Sequence, residues 1–309
     1  MADFFQFLHT QLVPFLQAEM WFTLIWGGVM GAVMGSFLNV VILRWPVRME
    51  REWQSQAREI LGLPEPEGAG SAPPGIHEHS RCPHCQARIR WFDNVPVLSY
   101  LWLGGKCRRC KAPISAQYPL VEALGGLGTM LMILNFGATT TTLMAAGFWL
   151  ILLTLSVIDL RTMLLPDPLV YVLLWAGLLG SALGVPHLPS LSQAVWGVAL
   201  GYTSLWAFCG LFKLIRGKEG MGHGDFKLLA ALGAWCGALN LMPIVVVATG
   251  AALLGALLAL LAKRDPMAAL PFGPSLAVGG VVTFLWPGWF PTALESLRHL
   301  PLVLAIVHP

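Results

Sequence analysis

Apolar runs of about twenty residues, the length an α-helix needs to cross a bilayer, recur through most of this chain. Helices are expected near 20–43, 119–137, 142–160, 168–184, 191–214, 226–240, 243–262 and 271–290, with 226–240 the shortest. A closed barrel would need alternating ten-residue strands, whereas these runs are continuous and rich in Leu, Ala and Gly. Charged residues make up 11% of the chain, against about 25% in a soluble protein, which excludes an ordinary globular enzyme. The net charge of +3 is too small for a polyanion-binding surface, so no nucleic-acid partner is expected. The expected fold is an all-α polytopic membrane protein of about eight transmembrane helices, with membrane lipid as its surroundings. A last apolar stretch, 293–307, contains Glu295, Arg298 and His299 and is expected to be interfacial.

The first run is not read as a cleaved signal peptide, because no Lys or Arg precedes Trp21. Basic residues set the orientation. If the segment after Arg44 is cytoplasmic and the chain alternates, Arg161, Lys213, Arg216, Lys218, Lys227, Lys263 and Arg264 all fall on the cytoplasmic side. Of the 19 Lys and Arg, only Arg298 falls elsewhere. Three parts are expected: 1–44 with the first helix, a cytoplasmic domain over 45–118, and a multi-helix membrane domain over 119–309.

Within 45–118, Met49–Leu61 places Met49, Trp53, Ala57 and Ile60 at helical spacing. An amphipathic helix on the membrane surface and a solvated helix at a domain edge both fit this pattern. Leu63–Gly75, with four prolines, reads as a linker. Next come Cys82-Pro-His-Cys85 and, after 21 intervening residues, Cys107-Arg-Arg-Cys110. Two Cys-x-x-Cys turns converge on a tetrahedral Zn2+, each bringing two thiolates to about 2.3 Å from the metal. Disulfides are the alternative, but the expected topology puts these thiols in a reducing compartment. Four thiolates close the coordination shell, so the zinc is expected to be structural, with His84 a surface residue rather than a fifth ligand. Cys209 and Cys236 lie in apolar runs and read as core residues.

Ionisable groups in spanning helices are functional candidates because their burial is costly. Asp159 ends one run in Ser156-Val-Ile-Asp159-Leu-Arg161, and Asp225 opens another in Gly222-His-Gly224-Asp225-Phe-Lys227. In the expected topology both lie at cytoplasmic helix ends, at one depth. Two carboxylates in reach of each other share a proton at neutral pH, the arrangement of an aspartic protease. Gly222 and Gly224 are expected to allow positive φ and to let a substrate backbone approach Asp225. Alone, Gly-x-Gly-Asp also fits an acidic helix cap; the second carboxylate is what points to chemistry.

The remaining polar residues have plainer readings. Asp167 before Pro168 suits an N-cap. Glu122 fits a site-lining, cation-anchoring or capping role equally. Arg161 and Lys227 read as membrane anchors. Gly31, Gly35 and Asn39 form a small-residue packing face with one polar contact, and Ser36 lies off that face with no obvious base. A proton transporter would need acids near mid-bilayer, and often internal repeats; neither is evident.

In order along the chain stand Gly35-Ser-Phe-Leu-Asn39-Val-Val-Ile-Leu-Arg44, Ser80-Arg-Cys82-Pro-His-Cys85 and Trp91-Phe-Asp-Asn-Val-Pro96. Gly105-Lys-Cys107-Arg-Arg-Cys110, Tyr118-Pro-Leu-Val-Glu122, Asp159-Leu-Arg161, Leu165-Pro-Asp167, Gly222-His-Gly-Asp225-Phe-Lys227 and Pro271-Phe-Gly-Pro274 follow. This series resembles the bacterial prepilin peptidase family, bifunctional leader peptidases and N-methyltransferases of the inner membrane. The resemblance implies cleavage of prepilins and pseudopilins after a leader glycine, then methylation of the new amino terminus with S-adenosylmethionine. It maps the catalytic pair onto Asp159 and Asp225 and the cysteine tetrad onto Cys82, Cys85, Cys107 and Cys110. Gln117 departs from the arginine usual in the family, and 62–79 matches no motif. No residues for the methyl donor can be read from spacing.

Overall fold

A computed structural model describes residues 19–64, 80–217, 221–262 and 271–290. The expected linker from residue 65 onward, Lys218, Lys263, Arg264 and the 293–307 stretch lie outside these residues. The described residues form α-helices joined by short turns, with two isolated β-bridges between residues 81 and 113. The helices are α1 (Met20–Leu61), α2 (Leu98–Trp102), α3 (Gln117–Phe136), α4 (Thr140–Thr162), α5 (Asp167–Ala182), α6 (Leu191–Arg216), α7 (His223–Cys236), α8 (Leu241–Leu261) and α9 (Gly273–Leu285). Each of the eight expected runs is a helix. Among the described residues, five helical stretches, α1, α3, α4, α6 and Ala238–Leu261, are long and apolar enough to cross a membrane. Helices α5, α7 and α9, of 16, 14 and 13 residues, are shorter than that. The helices fall into two compact units divided after Leu164.

Local sequence explains many helix ends. Thr139 Oγ1 accepts from the Thr142 N–H at the start of α4, and Ser190 Oγ does the same for Gln193 at the start of α6. Gly62 closes α1 in the left-handed region at φ 63°, where an L side chain would be strained. The expected break near residue 44 is absent, because α1, 42 residues long in all, continues through Pro46 to Leu61. A proline inside a helix removes one backbone hydrogen bond, and the flanking sequence is helical enough to carry the chain past it. At 1.5 Å per residue α1 is roughly 63 Å long, about twice the hydrocarbon thickness. Of its last eleven residues all but Arg58 are exposed, which fits both the membrane-surface and the solvated-helix reading of 49–61.

In the first unit α1, α3 and α4 pack together through small residues. A Cβ on Gly31 would stand 2.5 Å from the Gly125 carbonyl oxygen, and one on Gly35 2.9 Å from Glu122 Cα. Asn39 Nδ2 adds a polar tie by donating to the Tyr118 carbonyl at 3.1 Å. The packing reading of this stripe holds. Trp149 Nε1 fixes α4 to α3 by donating to the Leu124 carbonyl at 2.9 Å.

In the second unit α7 is the centre, in contact with α5, α6 and α9. From Phe226 to Cys236 every residue except Lys227 is buried. A helix apolar on all sides is stable where neighbours sheath it, so its shortness is no obstacle. Trp235 Nε1 donates to the Leu173 carbonyl at 2.8 Å, satisfying the one polar atom of a fully buried ring. Cys236 is buried as expected, whereas Cys209 is only half-buried, because α6 leaves most of its apolar surface uncovered.

Gly197 and Gly233 bring the α6 and α7 backbones together so closely that a Cβ on either would overlap the other's carbonyl. Gly197→Val is therefore expected to destabilise the unit by roughly 1–3 kcal/mol or more through overpacking. A clear drop in the thermal unfolding midpoint in detergent is the result to look for. A midpoint equal to wild type would contradict the tight helix crossing.

Candidate functional site

The cysteine-bearing segment is built from two copies of one turn. In the first, Cys82 N–H bonds the Ala87 carbonyl, Gln86 N–H bonds the Cys82 carbonyl, Gln86 has φ 55°, and Arg81 bridges to Arg88. In the second, Cys107 N–H bonds Ala112, Lys111 N–H bonds Cys107, Lys111 has φ 59°, and Lys106 bridges to Pro113. The matching positions Cys-x-x-Cys-x-Ala were legible in the sequence as a short internal repeat, a signal that the Cys spacing alone does not use. In each copy, backbone bonds and a left-handed residue after the second cysteine aim both thiols to one side.

The four sulfurs lie within 4.8 Å of one another, and Cys82 Sγ stands 3.8 Å from Cys110 Sγ. A tetrahedron of 2.3 Å metal–sulfur bonds has edges of about 3.8 Å, so this cluster has the size a thiolate-bound ion requires. All six cysteines are free thiols, which sets the disulfide alternative aside. Backbone N–H groups of Cys110 and Arg109 draw the Cys107 thiol down to about 6. The Ala112 N–H favours the Cys110 thiolate, but partial desolvation and the neighbouring thiols outweigh it and push that group up to about 11. Metal ligation by thiols is coupled to release of their protons. His84 is exposed and outside the cluster. Arg108 ties the second turn to the segment between the turns, with Nη2 2.6 Å from Asp93 Oδ1 and the guanidinium over the Phe92 ring at 5.6 Å.

The partners of Glu122 give it a role that its three readings did not include. It is 8% exposed and lies on α3, where its Oε2 accepts from the Val97 N–H at 2.8 Å and its carboxylate also accepts from Ser36. Val97 has φ 61°, a conformation that β-branched residues seldom adopt. Glu122 is thus a latch that holds the strained turn before α2 against α3. Glu122→Ala is expected to open residues 95–103 to limited proteolysis, and Glu122→Gln, which keeps an acceptor, to protect them. Equal cleavage of the two variants would contradict the latch.

Asp159 belongs to the first unit, in the last turn and a half of α4, and is 4% exposed. A helix C-terminus carries partial negative charge, so a carboxylate there is not serving the helix dipole. Met163, the C-cap in the left-handed region at φ 54°, donates its N–H to the Asp159 carbonyl at 2.8 Å. Arg161 Nη1 donates to Gln117 Oε1 at 2.5 Å, which gives the unusual glutamine a partner.

Asp225 belongs to the second unit, half-buried in the first turn of α7, where the helix N-terminus favours an anion. The cap position is held by Gly222, so Asp225 is not the N-cap. The expected positive φ at the glycines is absent: Gly222 has φ −75° and Gly224 is helical. Their reasons differ. Among the described residues, a Cβ on Gly222 would meet Asp225 Oδ2 alone, at 4.0 Å. At Gly224 a Cβ would press on Leu165 Cβ at 3.0 Å. Asp167 is likewise no cap; Pro166 holds that position, and Asp167 Oδ2 accepts from Lys227 Nζ at 2.6 Å. This ion pair, which sequence reasoning missed, joins the first turns of α5 and α7 and fixes the turn that carries Asp225.

Comparison with known proteins covers both units. Residues 29–136 match the Bacterial Peptidase A24 N-terminal domain, and residues 144–260 match the Type IV leader peptidase family. A protein named prepilin leader peptidase/N-methyltransferase in Stutzerimonas stutzeri is 47% identical over 264 residues, 84% of this chain and 89% of its own length. Proteins of the same name in Pseudomonas aeruginosa and Pseudomonas putida are 44% and 45% identical over 84% and 89% of this chain, and 88% and 94% of their own lengths. No solved structure matches. With this extent of identity over most of both chains, the present chain belongs to the type IV leader peptidase family.

Proposed function

We propose that this multi-pass membrane protein removes the leader peptide from type IV prepilins and pseudopilins and then N-methylates the new amino terminus. Identity of 44–47% to prepilin leader peptidase/N-methyltransferases, over most of both chains, carries this reading. Asp159 and Asp225 are its catalytic pair, acting on a shared water. One carboxylate takes a proton from the water as its oxygen attacks the scissile carbonyl, and the other, protonated, donates a hydrogen bond to the carbonyl oxygen. The tetrahedral intermediate then loses its amine, which leaves with a proton from the enzyme, and the new leader carboxyl keeps the water oxygen. Supporting this are the expense of placing Asp159 at a buried helix C-terminus and, among the described residues, the approach of Gly222 to Asp225 Oδ2 alone.

Cys82, Cys85, Cys107 and Cys110 hold a structural Zn2+, a role supported by the chemistry of four converging thiols and their tetrahedral spacing. S-adenosylmethionine would be the methyl donor, supplying an electrophilic methyl group to the neutral amino-terminal nitrogen with release of S-adenosylhomocysteine and a proton. The cysteine domain over 45–118 and both aspartates face the cytoplasm of the inner membrane, as the distribution of Lys and Arg supports. Co-expression with a prepilin, followed by intact-mass measurement of the pilin, tests the proposal. Loss of the leader and a gain of about 14 Da, one methyl in place of one hydrogen, are expected. An intact leader would overturn the proposal; a trimmed but unmethylated pilin would leave the peptidase and remove the transferase.

A further inference from the structure

The cysteine module carries a surface that neither the thiol cluster nor the helix packing uses. Trp91 is 83% exposed, Leu98 64%, Leu101 67% and Trp102 87%. Leu98, Leu101 and Trp102 belong to α2, and Trp91 to the 3-10 turn Trp91–Asn94, which packs against α2. Phe92 has a different role, since Arg90 and Arg108 both lie over its ring. Trp and Leu gathered on the outside of a small polar module mark a contact with something apolar.

Charge and depth say what that contact is. Arg81, Arg88, Arg90, Lys106, Arg109 and Lys111 are all exposed. Asp93, the one acid between residues 80 and 115, is taken by Arg108. A surface of this sign repels cationic partners and is drawn to anionic ones. Helix α3 has 20 residues, roughly 30 Å, which equals the hydrocarbon thickness. Glu122 is the sixth of them, about 7–8 Å along the axis from the start of the span. Its carboxylate holds the Val97 N–H, one residue before α2 begins. The latch therefore fixes α2 beside the end of a spanning helix, at the depth of lipid headgroups and the first acyl carbons. Exposed Trp and Leu flanked by Arg and Lys are the side chains that this layer accommodates.

We propose that α2 and Trp91 insert into the headgroup–acyl boundary of an anionic leaflet, so that the cysteine module lies against the bilayer and is held there by lipid as well as by Glu122. The test uses the full chain with Trp102 replaced by a photoreactive benzoyl-phenylalanine, in nanodiscs of phosphatidylcholine with or without phosphatidylglycerol. Illumination is expected to yield lipid adducts at this position in both bilayers, with phosphatidylglycerol over-represented several-fold relative to its share. Arg88→Glu, Arg90→Glu and Lys111→Glu together should return phosphatidylglycerol to its share. In the unsubstituted chain, amide exchange across residues 98–103 should be slower in the phosphatidylglycerol bilayer. Adducts only to another copy of the chain or to added prepilin, no lipid adduct, or no preference for phosphatidylglycerol with equal amide exchange would each overturn the proposal.

Discussion

Cys107→Ser is expected to abolish stoichiometric metal binding and to leave residues 80–115 open to protease while the membrane helices stay folded. The reason lies in what holds this segment together. Its regular structure is two tight turns, two isolated β-bridges, a 3-10 turn and the five residues of α2, with Cys82 its only buried apolar residue. So little buried surface cannot offset the entropy of ordering the chain. Structural zinc sites contribute about 10–16 kcal/mol of apparent binding free energy in small domains, enough to decide whether such a segment folds. Elemental analysis should give one zinc per wild-type chain and none for the variant, and a chelator should reproduce the protease sensitivity. A wild-type chain that is folded over these residues without metal would contradict this account. The second turn is the more informative one to mutate, since Cys107 is the thiol whose pKa is drawn down to about 6.

Asp225→Asn is expected to lower leader cleavage by about 10²–10⁴-fold, the usual contribution of a positioned acid or base. An asparagine keeps the size and part of the hydrogen bonding of the aspartate, so the packing of α7 should survive. That separates this variant from Lys227→Met, which removes the pairing with Asp167 but no reacting group. The Lys227–Asp167 pair is partly exposed, with side chains 26% and 46% accessible, and such pairs contribute about 1 kcal/mol or less. The lysine variant should therefore keep most of its stability and a measurable rate. Asp159→Asn should fall as far as Asp225→Asn. Cleavage of a purified prepilin in detergent, followed under single-turnover conditions, reads all three.

Much of this architecture was legible because the bilayer leaves so few solutions. Eight apolar runs gave eight helices, and the glycine stripe of the first helix packs as its spacing implies. The four thiols converge as two Cys-x-x-Cys turns should. What could not be read was decided by tertiary partners. Helix α1 continues through Pro46 because its flanks favour helix more than one proline opposes it. Gly222 and Gly224 signalled flexibility by composition, yet neither has positive φ; one lies against the Asp225 carboxylate and the other accommodates Leu165. Asp167 and Lys227 looked like a cap and an anchor, because two residues 60 positions apart give no sequence sign that they pair. Glu122 had three equal readings, and none of them included its bond to the Val97 N–H, on a turn strained into the left-handed region.

The joint action proposed for Asp159 and Asp225 is tested directly by a double-mutant cycle. Groups that share one catalytic step lose nearly everything when either is removed, so the second substitution adds little. Asp159→Asn, Asp225→Asn and the double variant should all fall to one common low rate, within about tenfold of one another, on the same prepilin. A single variant that cleaves at the wild-type rate, or losses that multiply in the double variant, would contradict the shared mechanism.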